Sequence, residues 1–211
     1  MSGNFRMLTS SLYGGPTILV EDGADATRVN EIRNTIVKHE NGLANFMSRY
    51  IPGARNLVNK GVYYIQRLGR RLGGQYNPAT DNLQINVDQK RDFMDESTAH
   101  EKIHFYQKVG GALETYWSTL VKNLGYVGAM LYRPIIEGGA SYMTQKYRNR
   151  ESLDAYEHYR AGARAVAEKH GEGVLVNPPR NENKVMQIAN TFFNAMMSYM
   201  RGNPRRAYAL A

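Results

Sequence analysis

A chain of 211 residues with a formal charge of +8, a pI near 9.6 and no cysteine leaves no room for disulfides, thiolate ligands or a cysteine nucleophile. At 42% hydrophobic and 22% charged residues it has an ordinary globular composition and is long enough to bury a core in one domain. No apolar run reaches the length of a bilayer span, and the first twenty residues lack the apolar core of a secretory signal, so a soluble, cytoplasmic protein is expected.

Taken in order, Thr17 to Val20 is a β-branched run that reads as a strand, closed by the turn residues Glu21-Asp22-Gly23. From Ala26 to Tyr50 the apolar residues recur every three or four positions, which predicts a helix ended by Pro52-Gly53; His39 falls among Lys38, Glu40 and Asn41, on its polar face. Val62 to Ile65 reads as a second strand, and Gly69 with Gly73-Gly74 as turns or a bulge. Gln75 to Asn82 is rich in turn residues, whereas Leu83 to Val87 alternates as a half-buried strand does. A helix is expected from Asp95, its cap, to Val109, stopped by Gly110-Gly111. The rest reads as helical: Ala112 to Leu124, a connection from Gly125 to Leu131, Ile135 to Tyr147 with Pro134 at its start, Glu151 to His170, and Lys184 to Met200. The class is therefore α+β, with a mixed lobe over residues 1–110 and a helical lobe over 111–211 forming one domain overall.

The chemistry concentrates in His100-Glu101-Lys102-Ile103-His104, an H-E-x-x-H pattern inside the predicted helix. Residues four apart share a helix face about 6 Å apart along the axis, so the two imidazoles can converge on one cation, with Glu101 on the flank. Thr98-Ala99-His100-Glu101 also fits the capping box, in which Glu101 would only cap a helix. A catalytic zinc site takes three protein ligands and an open position. Gln107 and Gly110 stand where the metzincin pattern needs Gly and His, which excludes that subclass. A carboxylate is then the natural alternative for the third ligand. Glu137, followed by Gly138-Gly139-Ala140 that would let its helix approach the histidine helix closely, is the first candidate; Glu114 is the second. Two arginine clusters, Arg67 with Arg70 and Arg71, and Arg201 with Arg205 and Arg206, lack the interleaved aromatic residues of a single-strand binder and read as solvated basic faces rather than a nucleic-acid site.

His100-Glu101-Lys102-Ile103-His104, followed by Ile135-Ile136-Glu137-Gly138-Gly139-Ala140-Ser141-Tyr142, resembles the gluzincin branch of the zincin metallopeptidases. The resemblance implies a zincin-like fold, a peptide or protein substrate, and Zn²⁺ held by His100, His104 and Glu137, with Glu101 polarising the attacking water. It further implies that Leu83 to Val87 is the edge strand pairing with an extended substrate. Tyr159-Arg160-Ala161-Gly162 resembles a Y-x-x-G element of such families, which makes Tyr159, or its neighbour His158, the oxyanion-stabilising group. Ser141 departs from the pattern, which places an Asp there to orient a histidine.

Overall fold

Apolar side chains that alternate along three short segments line up across a sheet, and that face holds the core of the first half of the chain. In the computed structural model, which describes residues 4–9, 14–69, 72–151 and 156–202, the strands are β1 (Phe5–Thr9), β2 (Thr17–Glu21), β3 (Val62–Gln66), β4 (Gly74–Asn77) and β5 (Asn82–Asn86). Their order is β1-β2-β3-β5-β4, with β2, β3 and β5 parallel and the two edge strands antiparallel to their neighbours. Register aligns Ile18 with Tyr63 and Leu83, and Val20 with Ile65 and Ile85, all of them buried. Helix α1 (Ala26–Met47) crosses from β2 towards β3 and lays Val29, Ile32 and Ile36 on these rows. It is started by Asp25, whose carboxylate accepts from the Arg28 N–H.

The remaining helices are α2 (Arg91–Val109), α3 (Ala112–Leu124), α4 (Tyr126–Arg148), α5 (Glu157–His170) and α6 (Glu182–Gly202). The chain divides into two compact units, Met1–Phe105 and Tyr106–Ala211, and the division falls within α2, which is one continuous helix. In the second unit α3, α4, α5 and α6 pack in sequence, and α3 also meets α6.

The α+β class expected from the sequence is the one adopted, with a five-stranded mixed sheet and six α-helices among the described residues. Several expectations are corrected. Leu83 to Val87 is not an edge: β5 lies between β3 and β4, and the edge on that side is β4, within a stretch that reads as turn because Gly and Asn are poor strand formers. Helix α2 begins at Arg91, so Asp95 is not its cap but bonds Lys38 and His39 from inside the helix. His39 is accordingly buried, 1% exposed, with Nε2 3.1 Å from Asp95, rather than on a polar face. Helix α4 starts at Tyr126, eight residues before Pro134. Gly125 reverses the chain alone (φ 57°), and Gly128 lies so close to α3 that a Cβ would stand 2.0 Å from the Leu120 carbonyl oxygen. Packing of this kind sustains a turn that Gly-rich propensity would not, and Pro134 removes only one backbone bond. Helix α5 begins at Glu157; residues 152–155 of the expected Glu151 to His170 helix lie outside the described residues, as do Arg70, Arg71, Arg205 and Arg206. Arg67 spends its guanidinium locally, donating to the Gly23 carbonyl and standing 3.9 Å from Glu21 and from Asp88.

Within the first unit one charged pair is wholly buried. Lys102 Nζ lies 2.7 Å from Glu40 Oε1 and donates to the Lys60 carbonyl at 2.6 Å, over the Phe105 ring at 4.3 Å. Glu40 also accepts from the Asn59 N–H and the Tyr63 hydroxyl. Burial drives the Lys102 ammonium pKa down, and Glu40 opposes the shift. Lys102→Met leaves the Glu40 charge buried without its partner and is expected to lower the unfolding free energy by about 3–5 kcal/mol in urea denaturation, with Glu40→Gln added to it restoring part of the loss. An unchanged midpoint in the single variant would refute this.

Candidate metal centre

On α2, Lys102 and the two histidines point in opposite directions, because His100 and His104 lie about 160° and 200° around the helix from it. The bonds that bury Lys102 therefore set the histidines on the far face. Their Nε2 atoms face each other at 3.1 Å, with ring centroids 4.7 Å apart and planes at 82°. Two ring nitrogens converging at this distance suit a shared cation: at a zinc–nitrogen bond of about 2.1 Å, tetrahedral ligands stand roughly 3.4 Å apart.

Among the described residues, one group of His, Cys, Asp or Glu side chains could hold a metal ion: His100, His104 and Glu137, whose ligand atoms all lie within 4.8 Å of one another. Both histidines are buried, 8% exposed, and Glu137 is partly so. Two imidazoles and a carboxylate are a borderline-soft set that suits Zn²⁺. Glu114 is exposed in the first turn of α3 and outside the group.

Gln107, one turn beyond His104 on the same face, donates to the carbonyls of Ile136, at 3.1 Å, and Leu175, at 3.2 Å. This ties the end of α2 to the residue next to Glu137. Gly139 makes the approach to the end of α2 possible, since a Cβ there would stand 2.9 Å from Gln107 Nε2, while Gly138 gives the same room to α5, where a Cβ would stand 2.6 Å from the Tyr159 carbonyl oxygen. Ser141, one turn after Glu137, accepts from the buried Arg160 guanidinium at 2.8 Å, so an α4–α5 bond occupies the position where the resemblance expects an Asp. Arg133 stands 3.9 Å from Glu137. Burial, and second the Glu137 charge, push the neighbouring Tyr132 hydroxyl up to about 12, so it stays protonated.

Glu101 belongs to the flank. Thr98 lies inside α2, its hydroxyl donating to the Met94 carbonyl at 2.7 Å, so the capping-box reading falls. The Glu101 carboxylate instead rests against β4: a Cβ on Gly74 would stand 2.7 Å from Glu101 Cγ and 3.1 Å from Oε1. Gly74 is paired with Ile85, so the buried row Val20-Ile65-Ile85 ends at the edge in a residue without a side chain, and Glu101 takes the space. The Tyr159 ring stacks on Tyr156, at 5.5 Å and 14°, and lies 4.0 Å from that of His158. Sequence reasoning passed over Gln107, Gly74 and Arg160. Gln107 could have been found by its i+3 spacing from His104; nothing in the sequence marks Gly74 or Arg160.

Metal-stripped protein is expected to bind one zinc ion per chain in competition with a chromophoric chelator, and His104→Ala and Glu137→Gln are each expected to weaken it on the order of a hundredfold. Equal affinity in the His104→Ala variant would sink the site. No family model, no curated protein and no solved structure matches this chain, so the reading of the site stands on its geometry.

Proposed function

We propose that the protein is a zinc-dependent metallopeptidase of the gluzincin type, with a zincin-like arrangement of edge strand, histidine helix and glutamate helix. The observation that carries this reading is the convergence of His100, His104 and Glu137, with Glu101 beside the pair and outside the ligand set. When bound, zinc supplies an acidified water and a Lewis acid for the scissile carbonyl. Glu101 accepts a proton from the attacking water at its carboxylate and hands it to the leaving amine nitrogen. The outer edge of β4, four residues long and antiparallel to β5, offers backbone N–H and C=O groups to an extended polypeptide, which would lie next to Glu101.

Zinc-loaded protein is expected to cleave an unfolded polypeptide, and Glu101→Gln to lower kcat/KM by about a thousandfold while keeping the metal. A zinc-loaded wild type without cleavage would turn the reading to a zinc-containing binding protein, and salt-sensitive DNA or RNA binding indifferent to His100→Ala would turn it to a basic nucleic-acid-binding protein. A subtler change tests the placement of Glu101. Gly74→Ala puts a methyl group where the Glu101 side chain lies, and zinc affinity is expected to stay while kcat falls by on the order of a hundredfold; unchanged kcat would show that β4 does not position the base.

A further inference from the structure

The sheet has a second face, opposite the one that α1 and Met94 of α2 bury. Register settles which side chains lie on it. Met7, Leu19, Tyr64, Gln84 and Gln75 form one row across all five strands, and the next row, which begins at Thr17 and Val62, ends in Asn82 and Asn77. Met7 is 62% exposed, Gln75 and Asn77 are exposed, and Leu19, Tyr64 and Gln84 are half-buried by their neighbours in the row.

We propose that this face binds a neutral polysaccharide, with sugar rings resting on Tyr64 and sugar hydroxyls bonded by the amides of Gln75, Gln84 and Asn82. Charge is the first argument. Lys, Arg, Asp and Glu are the residues that solvent-facing positions normally take, and the chain carries 27 basic and 19 acidic ones, yet neither row contains any. Glu21, paired with Phe5 in the row beyond, is held by the Arg67 N–H at 2.9 Å. An uncharged face offers nothing to a nucleic acid or an anionic surface and suits a ligand without charge. Hydrogen bonding is the second argument. The side-chain amides of Gln75, Gln84 and Asn82 make no hydrogen bond among the described residues, and each sets donors and an acceptor side by side, as neighbouring hydroxyls on a sugar require. Gln75 and Gln84 are directly opposite each other, so two such amides stand together beside Tyr64. Aromatic surface is the third. Tyr64 lies in mid-row with Phe5 edge-on to it at 5.3 Å, and the C–H groups on the face of a sugar ring pack against the negative face of an aromatic ring. Strands about 4.8 Å apart make the row about 19 Å long, room for several sugar units in line. The exposed large apolar side chains on this face are Phe5 and Met7 alone, both on β1, too few for the apolar centre of a protein–protein contact.

In native electrophoresis towards the cathode, the full chain is expected to be retarded by hydroxyethyl cellulose, a neutral glucan, or by glycol chitin, a neutral N-acetylated chain, and the polymer that retards it identifies the kind of sugar. Raised salt, which weakens charge-driven binding, is expected to leave the retardation in place. Gln75→Ala with Gln84→Ala removes two amides and is expected to weaken binding about tenfold with the thermal midpoint unchanged. Tyr64→Leu, which keeps apolar bulk without a ring, is expected to weaken it as well. Absence of retardation by both polymers, equal retardation of the double variant, or retardation lost in raised salt overturns the proposal. So does self-association of the wild type that Met7→Ser abolishes while the polymers have no effect, which would assign the face to a second copy. None of these readouts depends on the metal or on peptidase activity.

Discussion

The rotation of α2 is set by one buried ion pair. Lys102 has no exposed surface, and its ammonium is satisfied by Glu40, the Lys60 carbonyl and the Phe105 face together. A helix that rolled by even one residue would carry this charge off its partner and leave both ions desolvated, at a cost of several kcal/mol. The pair is therefore a register device, and its consequence lies on the opposite face. With Lys102 fixed, His100, His104 and Gln107 all project to the far side, and Ile103 and Ala99 supply the apolar body of the helix. The H-E-x-x-H pattern works as a unit with the lysine inside it, though lysine is no part of what the pattern asks for.

Helix α4 solves a matching problem by removing side chains. A ligand carboxylate has to come within bonding reach of two imidazoles on another helix, which requires backbones closer than ordinary side chains permit. Gly139 gives that room to Gln107, Gly138 gives it to Tyr159 and Phe192, and Gly162 on α5 receives Phe192 from the other side. Gln107 then donates across this tight packing to two backbone carbonyls, those of Ile136 and Leu175. Small residues confer proximity, and one amide makes that proximity affordable in hydrogen bonds.

What could be read from the sequence follows from the range of the forces involved. Period-2 and period-3.6 patterns found β2, β3, β5 and the helices because each is a local record of which side is buried. They failed at β4, where Gly74 is a strand residue against which Glu101 rests, and at β1, a short edge whose apolar Phe5 and Met7 stay exposed, so that no alternation of burial marks it. His39 was misplaced because its neighbours in sequence are polar, while its burial is caused by Asp95 on another helix. The start of α4 was missed for the same reason: Gly128 looks like a breaker and acts as a contact. The three candidate ligands were legible, since two share a local spacing and the third is flagged by the glycines beside it. Gly74 and Arg160 were not, because each acts on a partner distant in the chain, and of Gln107 only its place on the histidine face was legible, not its bonds to Ile136 and Leu175.

The charge on the site is the remaining consideration. His100 and His104 can bind a cation only as neutral rings, so the negative charge there comes from Glu137 in the ligand set and Glu101 beside it. A divalent ion with these two carboxylates sums to zero, which suits a buried setting where an excess of either sign is costly. Exchanging Glu137 for a third histidine would leave the ion and Glu101 with a net positive charge next to Arg133 and the Arg160–Ser141 bond, a surrounding already rich in cations. A carboxylate at position 137 would thus keep a divalent ion and its two acidic neighbours neutral in sum, and Ser141, which carries no charge, accepts from the Arg160 guanidinium without altering that sum.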